Sequence, residues 1–108
     1  MEIIQMGRGR GKTIYLIKKS AEFKYPIICC SEAQRRMIKD TAKEMRLDIP
    51  DPISFSSINS KEKLRGLSNF DKLLIDDLEH VLKRIFDKDI YAATVTCDSC
   101  ESINNYLR

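Results

Sequence analysis

The stretch that decides the reading is Met6-Gly7-Arg8-Gly9-Arg10-Gly11-Lys12-Thr13. It follows a short apolar run, Ile3-Ile4-Gln5-Met6, read as a strand over about residues 2–6, and leads into a helical pattern from about Lys12 to Glu22. Three glycines alternating with two arginines, ending in Gly-Lys-Thr, have the form of a phosphate-binding loop. Glycine lets the backbone curl so that successive N–H groups face an anion. The helix behind adds the positive end of its dipole at the same place. In this reading Gly7, Arg8, Gly9, Arg10 and Gly11 form the cradle, Lys12 reaches the β- and γ-phosphates of ATP, and the Thr13 hydroxyl ligates Mg2+. The general pattern G-x-x-x-x-G-K-[ST] would put a glycine where Met6 stands, so the loop is a variant in which Gly7 and Gly9 supply the flexibility. The plainer alternative is a glycine-rich basic turn that opens a helix and grips nucleic-acid phosphates.

A second stretch answers the first from more than 60 residues away. Lys72-Leu73-Leu74-Ile75-Asp76-Asp77 is an apolar strand that delivers two carboxylates at its C-terminal end. An apolar run, Leu73-Leu74-Ile75, followed by an acid has the form of the Walker B pattern, in which Asp76 holds the magnesium through water. Asp77 stands where a carboxylate must come within hydrogen-bond reach of the attacking water. Glu79 is the weaker candidate and suits the first turn of a helix. The alternative for Asp76 and Asp77 is a strand end whose two acids open a helix.

Between these stretches the pattern alternates. Phe23-Lys24-Tyr25-Pro26 breaks the first helix. Pro26-Ile27-Ile28-Cys29-Cys30 is a continuous apolar run, the sign of a strand buried on both faces. Ser31-Glu32-Ala33-Gln34 is a capping box, and Ala33, Met37, Thr41 and Met45 recur at four-residue spacing, which predicts a helix to about Leu47. Asp48 to Pro52 forms a rigid connection. Ile53-Ser54-Phe55-Ser56 alternates apolar with polar and suits a half-exposed strand near a sheet edge. Residues 59–71 are polar and charged and read as a loop or a short irregular helix. Leu78, Val81, Leu82, Ile85 and Phe86 form a helical stripe. Ile90 to Thr96 predicts a last strand, and Ser99 to Leu107 a closing helix.

Strands and helices alternating at this length predict an α/β protein: a three-layer α/β/α domain around a mostly parallel, five-stranded sheet. The 108 residues make one domain, 1–108. Ligands of such sheets bind beyond the carboxyl ends of the strands. The glycine loop, Asp76-Asp77 and Thr94 to Thr96 all fall there.

Composition narrows the classes. Hydrophobic residues at 43% and charged ones at 32% are ordinary for a globular protein. The longest apolar runs are far too short to span a bilayer, so no membrane partner is expected. The N-terminus enters a strand at once, so no secretory signal is expected either. A net charge of +3 permits an anionic partner without demanding one. Cys29, Cys30, Cys97 and Cys100 are then expected to be reduced thiols. Cys97-x-x-Cys100 has the spacing of half a zinc site or a redox pair, but adjacent Cys29 and Cys30 point to opposite faces of a strand and make a poor second half. His80 has no metal partner in the pattern and reads as an exposed helix residue.

Gly7–Thr13 and Leu73–Asp77 together resemble a P-loop NTPase of the additional-strand (RecA-like) class. The chain is most similar to the ATPase core of phage terminase large subunits, the DNA-packaging motors, whose loops are often Gly-Arg-Gly-x-Gly-Lys-[Ser/Thr]. The resemblance implies that Arg8 acts on the γ-phosphate in cis, and it extends to Leu64-Arg65-Gly66-Leu67 before the acidic strand. It also implies that Tyr91–Thr96 is a coupling strand whose Thr94 or Thr96 senses the γ-phosphate. The family usually carries glutamate where Asp77 stands. Leu73–Leu78 is also similar to initiator and helicase-loader AAA+ proteins.

Two functions of different class follow from the resemblance. One is a Mg-dependent ATPase acting in DNA handling, with Lys12, Asp77 and Arg8 catalytic, Thr13 and Asp76 on the metal, and Thr96 on the nucleotide. Its partners would be ATP, DNA and further copies or a larger motor protein, in the cytoplasm of a bacterial or phage-infected cell. The other is a nucleotide-gated or catalytically silent module that mimics a motor subunit. A small nucleotide kinase is a third idea, without an arginine-rich lid to support it.

Overall fold

A computed structural model of the chain describes residues 1–5, 11–55 and 67–96. Three helices and three strands have both ends among them: α1 Gly11–Phe23, β1 Ile27–Cys29, α2 Glu32–Glu44, β2 Ile53–Ser54, β3 Leu74–Ile75 and α3 Leu78–Phe86. The strands form one parallel sheet in the order β2-β1-β3. In register, Ile28 sits opposite Ile53 on one side and Ile75 on the other. The Asp76 N–H donates to the Ile28 carbonyl at 2.9 Å, which carries the ladder to the end of β3.

β1 is central because it can be. All three of its residues are apolar or thiol-bearing and all are buried. Ile27 and Cys29 share one face, where they meet Ile17 of α1 and Ile38 and Ala42 of α2 in a single core cluster. The helix pair therefore covers that face, with Leu16, Met45, Leu47, Ile49 and Leu74 packed around it. Ser31 caps α2, its hydroxyl accepting the Gln34 N–H at 3.2 Å, with Glu32 in the first turn. The four-residue spacing picked the wrong stripe of this helix: Met37 is exposed, and Ile38 and Ala42 face the core. α2 also stops at Glu44 rather than Leu47, because Arg46 takes a left-handed conformation (φ 57°) that ends it.

The five-stranded, three-layer architecture is overturned. Three strands pair among the described residues, and neither flanking segment joins them. Residues 2–5 are not part of the sheet. Ile90 to Thr96, expected as the last strand, makes no ladder, and Tyr91 is 98% exposed. Strand-like composition states only a preference; backbone pairing must supply the strand. The α3 stripe is similarly under-used. Val81 is its one buried residue, while Ile85 and Phe86 stand in solvent.

Several expectations lie outside the described residues: most of the glycine loop (Met6, Gly7, Arg8, Gly9 and Arg10), Leu64 to Gly66, the Cys97-x-x-Cys100 pair and the closing helix. Among the described residues no helix is long and apolar enough to cross a membrane.

Candidate functional site

The start of α1 and the end of β3 meet. Thr13 Oγ1 donates to Asp76 Oδ2 at 3.5 Å across 63 residues of sequence. The two elements bring together the hydroxyl and the carboxylate that the sequence assigns to magnesium. Lys12 lies beside them and lines a cavity of about 300 Å³ with Asp76 and Asp77. The remaining walls are largely apolar, among them Ile3, Ile4 and Leu16. Lys12 makes no hydrogen bond or ion pair among the described residues. α1 carries no acidic residue in its first turn, so nothing within that turn offsets its dipole.

Asp76 is only 5% exposed. Burial pushes its carboxyl above the ordinary range, a hydrogen bond from Gln34 opposes that shift, and the charge of Asp77 adds to it. The Thr13 hydroxyl and Lys12 pull in the lowering direction. The hydrogen bonds from Thr13 and Gln34 both fall on Oδ2. A carboxylate oxygen beside a threonine hydroxyl is the hard donor set that Mg2+ takes, with waters and phosphate oxygens supplying the rest. Among the described residues no cluster of three or more His, Cys, Asp or Glu side chains forms. A magnesium held mainly by phosphate does not need one.

Gln34 is the residue that sequence reasoning missed. Its Nε2 donates to Asp76 Oδ2 at 2.5 Å, and its Oε1 accepts the Cys30 N–H at 3.3 Å. The capping-box signal did mark Gln34, but for a backbone role. Here the side chain takes the N–H of the residue before the cap and turns its amide toward the carboxylate 42 positions away. Nothing in a local pattern announces that second bond.

Asp77 differs from its neighbour. It is exposed and forms the N-cap of α3, with its Oδ1 accepting the His80 N–H at 3.5 Å and its Oδ2 3.1 Å from His80 Nδ1. It also sits in the left-handed region (φ 62°, ψ 75°), where an N-cap is normally extended. Glu79 lies in the first turn of the same helix. Thr94 and Thr96 are exposed and are not among the residues lining the cavity. Gly11 opens α1, next to Lys12, and is exposed.

The cysteines of the described residues are free. Cys29 is buried, and burial raises its thiol to about 11. Its Sγ donates weakly to the carbonyls of Ser31 and Ile53, which suits an inert core thiol. No family model matches this chain, and neither a curated protein nor a solved structure does.

Proposed function

We propose that the chain binds ATP with magnesium at the junction of α1 and β3 and serves in DNA handling in the cytoplasm, as an ATPase related to the DNA-packaging motors. The observation that carries this reading is the meeting of Thr13 and Asp76 at 3.5 Å, two residues assigned to one metal from two separate motifs. Lys12, unpaired at the same cavity, and the acid-free first turn of α1 both favour an anion there. Lys12 would meet the phosphates, with Gly11 and the residues Gly7 to Arg10 around them. Thr13 and Asp76 would hold the metal, which on binding neutralises phosphate charge and orients the γ-phosphate. Gln34 holds the Asp76 carboxylate in place from the α2 side. Arg8 would keep the role that the resemblance implies, as a contact to the γ-phosphate, whereas Thr96, off the sheet and outside the cavity lining, is given none.

Asp77 supports a second reading, a module that binds nucleotide without turnover. Its Oδ1 caps α3 and its Oδ2 lies against His80 Nδ1, so the first turn of α3 holds this carboxylate in a capping role and a water would have to share it.

Titration with a fluorescent ATP analogue in Mg2+, with phosphate release measured in parallel, tests both. Lys12→Ala is expected to weaken nucleotide binding at least tenfold, and unchanged binding would remove the phosphate-loop assignment. Turnover that falls 100-fold or more in Asp77→Asn while binding persists would establish the ATPase. Binding with no phosphate release, with or without DNA, would leave the silent module.

A further inference from the structure

On α1, Tyr15, Lys19 and Phe23 follow each other at four-residue intervals on the side away from buried Ile17. Lys19 Nζ lies 5.7 Å from the Tyr15 ring centre and 5.6 Å from that of Phe23. Past the helix end, Tyr25 stacks on Phe23 with ring centres 5.6 Å apart and planes 17° from parallel. Phe23 nevertheless leaves 48% of its surface in solvent.

The turn that makes this stack is pinned rather than loose. Lys24 adopts a left-handed conformation (φ 60°) that a non-glycine residue enters at a cost of order 1 kcal/mol. Its N–H donates to the Ser20 carbonyl at 2.8 Å, and the fully buried Ser20 hydroxyl donates to the Tyr25 carbonyl at 2.7 Å. Lys24 Nζ reaches across to the Asp48 carbonyl at 2.7 Å. A strained turn held by three hydrogen bonds fixes two rings against each other at the surface.

We propose that this face of α1 is a stacking platform for single-stranded DNA. Every base has a π-face, and paired aromatic side chains beside cations are how proteins hold unpaired strands without reading sequence. Lys18, Lys19 and Lys24 supply the cations. Lys18 is exposed and has no ion pair among the described residues. Lys19 and Lys24 are paired with Glu22 at 3.5 Å and Asp48 at 3.7 Å, exposed contacts of the kind that phosphates can replace. The choice of DNA over other strands rests on the DNA-handling part of the proposed function; the ring geometry does not.

Fluorescence anisotropy of a labelled 15-residue oligo(dT) with the full chain tests this, with binding of a fluorescent ATP analogue measured separately on each variant. The intact chain binds the strand, with a slope of log affinity against log salt of about −2 for three phosphates engaged. Phe23→Ala and Tyr25→Ala each weaken that binding about tenfold or more. Phe23→Tyr, which keeps the ring, retains it, and nucleotide binding is unchanged in all three. Failure of the intact chain to bind the strand at 50 mM salt, or ring variants that bind as well as the parent, overturns the platform. Ring-dependent DNA binding in a chain that does not bind ATP would uphold the platform and remove only the nucleotide reading.

Discussion

The α1–β1–α2 part of the molecule and the β3–α3 part come from comparably apolar stretches, yet only the first is sealed. β1 is buried along its whole length, with α1 and α2 over its Ile27–Cys29 face and Ile17, Ile27 and Ile38 wholly enclosed. β3 pairs with β1 on one side alone among the described residues, Ile75 is exposed, and α3 buries one residue of a five-residue stripe. A stripe states which face seeks cover; it does not guarantee a partner. The candidate site lies on the seam between the two halves. Its Thr13 comes from the sealed side and its Asp76 from the end of the open one.

The widest contrast is in the cores. Ile38→Ala should cost about 2–5 kcal/mol, since a cavity opens where α2 meets the sheet. In a domain of this size that would remove much of the stability, and urea unfolding would show it. A loss under about 1 kcal/mol would mean that the α1–β1–α2 core is not sealed as described.

Asp76 gives an intermediate effect of the opposite sign. Its ordinary value is 3.8, and burial raises it in the folded chain. The folded state then holds this proton more tightly than the unfolded state. Stability from the group is complete below its unfolded value and is lost as pH rises through the higher folded one. At neutral pH the buried charge therefore costs stability, and Asp76→Asn should raise Tm. The gain should vanish near pH 3, and magnesium-dependent nucleotide binding should be lost throughout. A Tm that drops at pH 7, or rises equally at both pH values, would contradict the charge argument.

Ile85→Ala should change stability by no more than about 0.5 kcal/mol, because this side chain is already half in water. Thermal melts of Ile38→Ala and Ile85→Ala side by side give the comparison its sharpest form. Equal losses would show that α3 is covered after all.

Local chemistry made most of the elements legible. The proline-terminated first helix, the doubly buried β1 and the Ser31 cap each rest on a signal that acts within a few residues. The Thr13–Asp76 meeting was legible too, because two motifs name the same metal. What escaped depends on distant partners. Ile90 to Thr96 has the composition of a strand, but pairing requires a neighbour, and these residues have none in the sheet. Gln34 was marked as a capping residue, and its bond to Asp76 arises only once α2 is laid beside β3. The αL conformation of Asp77 likewise belongs to the two-residue turn from β3 into α3.

The short β3 also bears on how the chain behaves in company. Among the described residues β3 pairs on one side alone, an edge of the kind on which another chain can grow, and Leu73 and Ile75 are exposed there. Yet it offers only two residues of ladder, with Lys72 before Leu73 and the Asp76-Asp77 pair closing its far end. Added strands would meet a charge at either side within a few ångströms of backbone. Asp76, proposed to hold magnesium, and Asp77 beside it thus double as gatekeepers against strand addition, so that replacing both would trade a lost metal ligand and helix cap for a stickier protein.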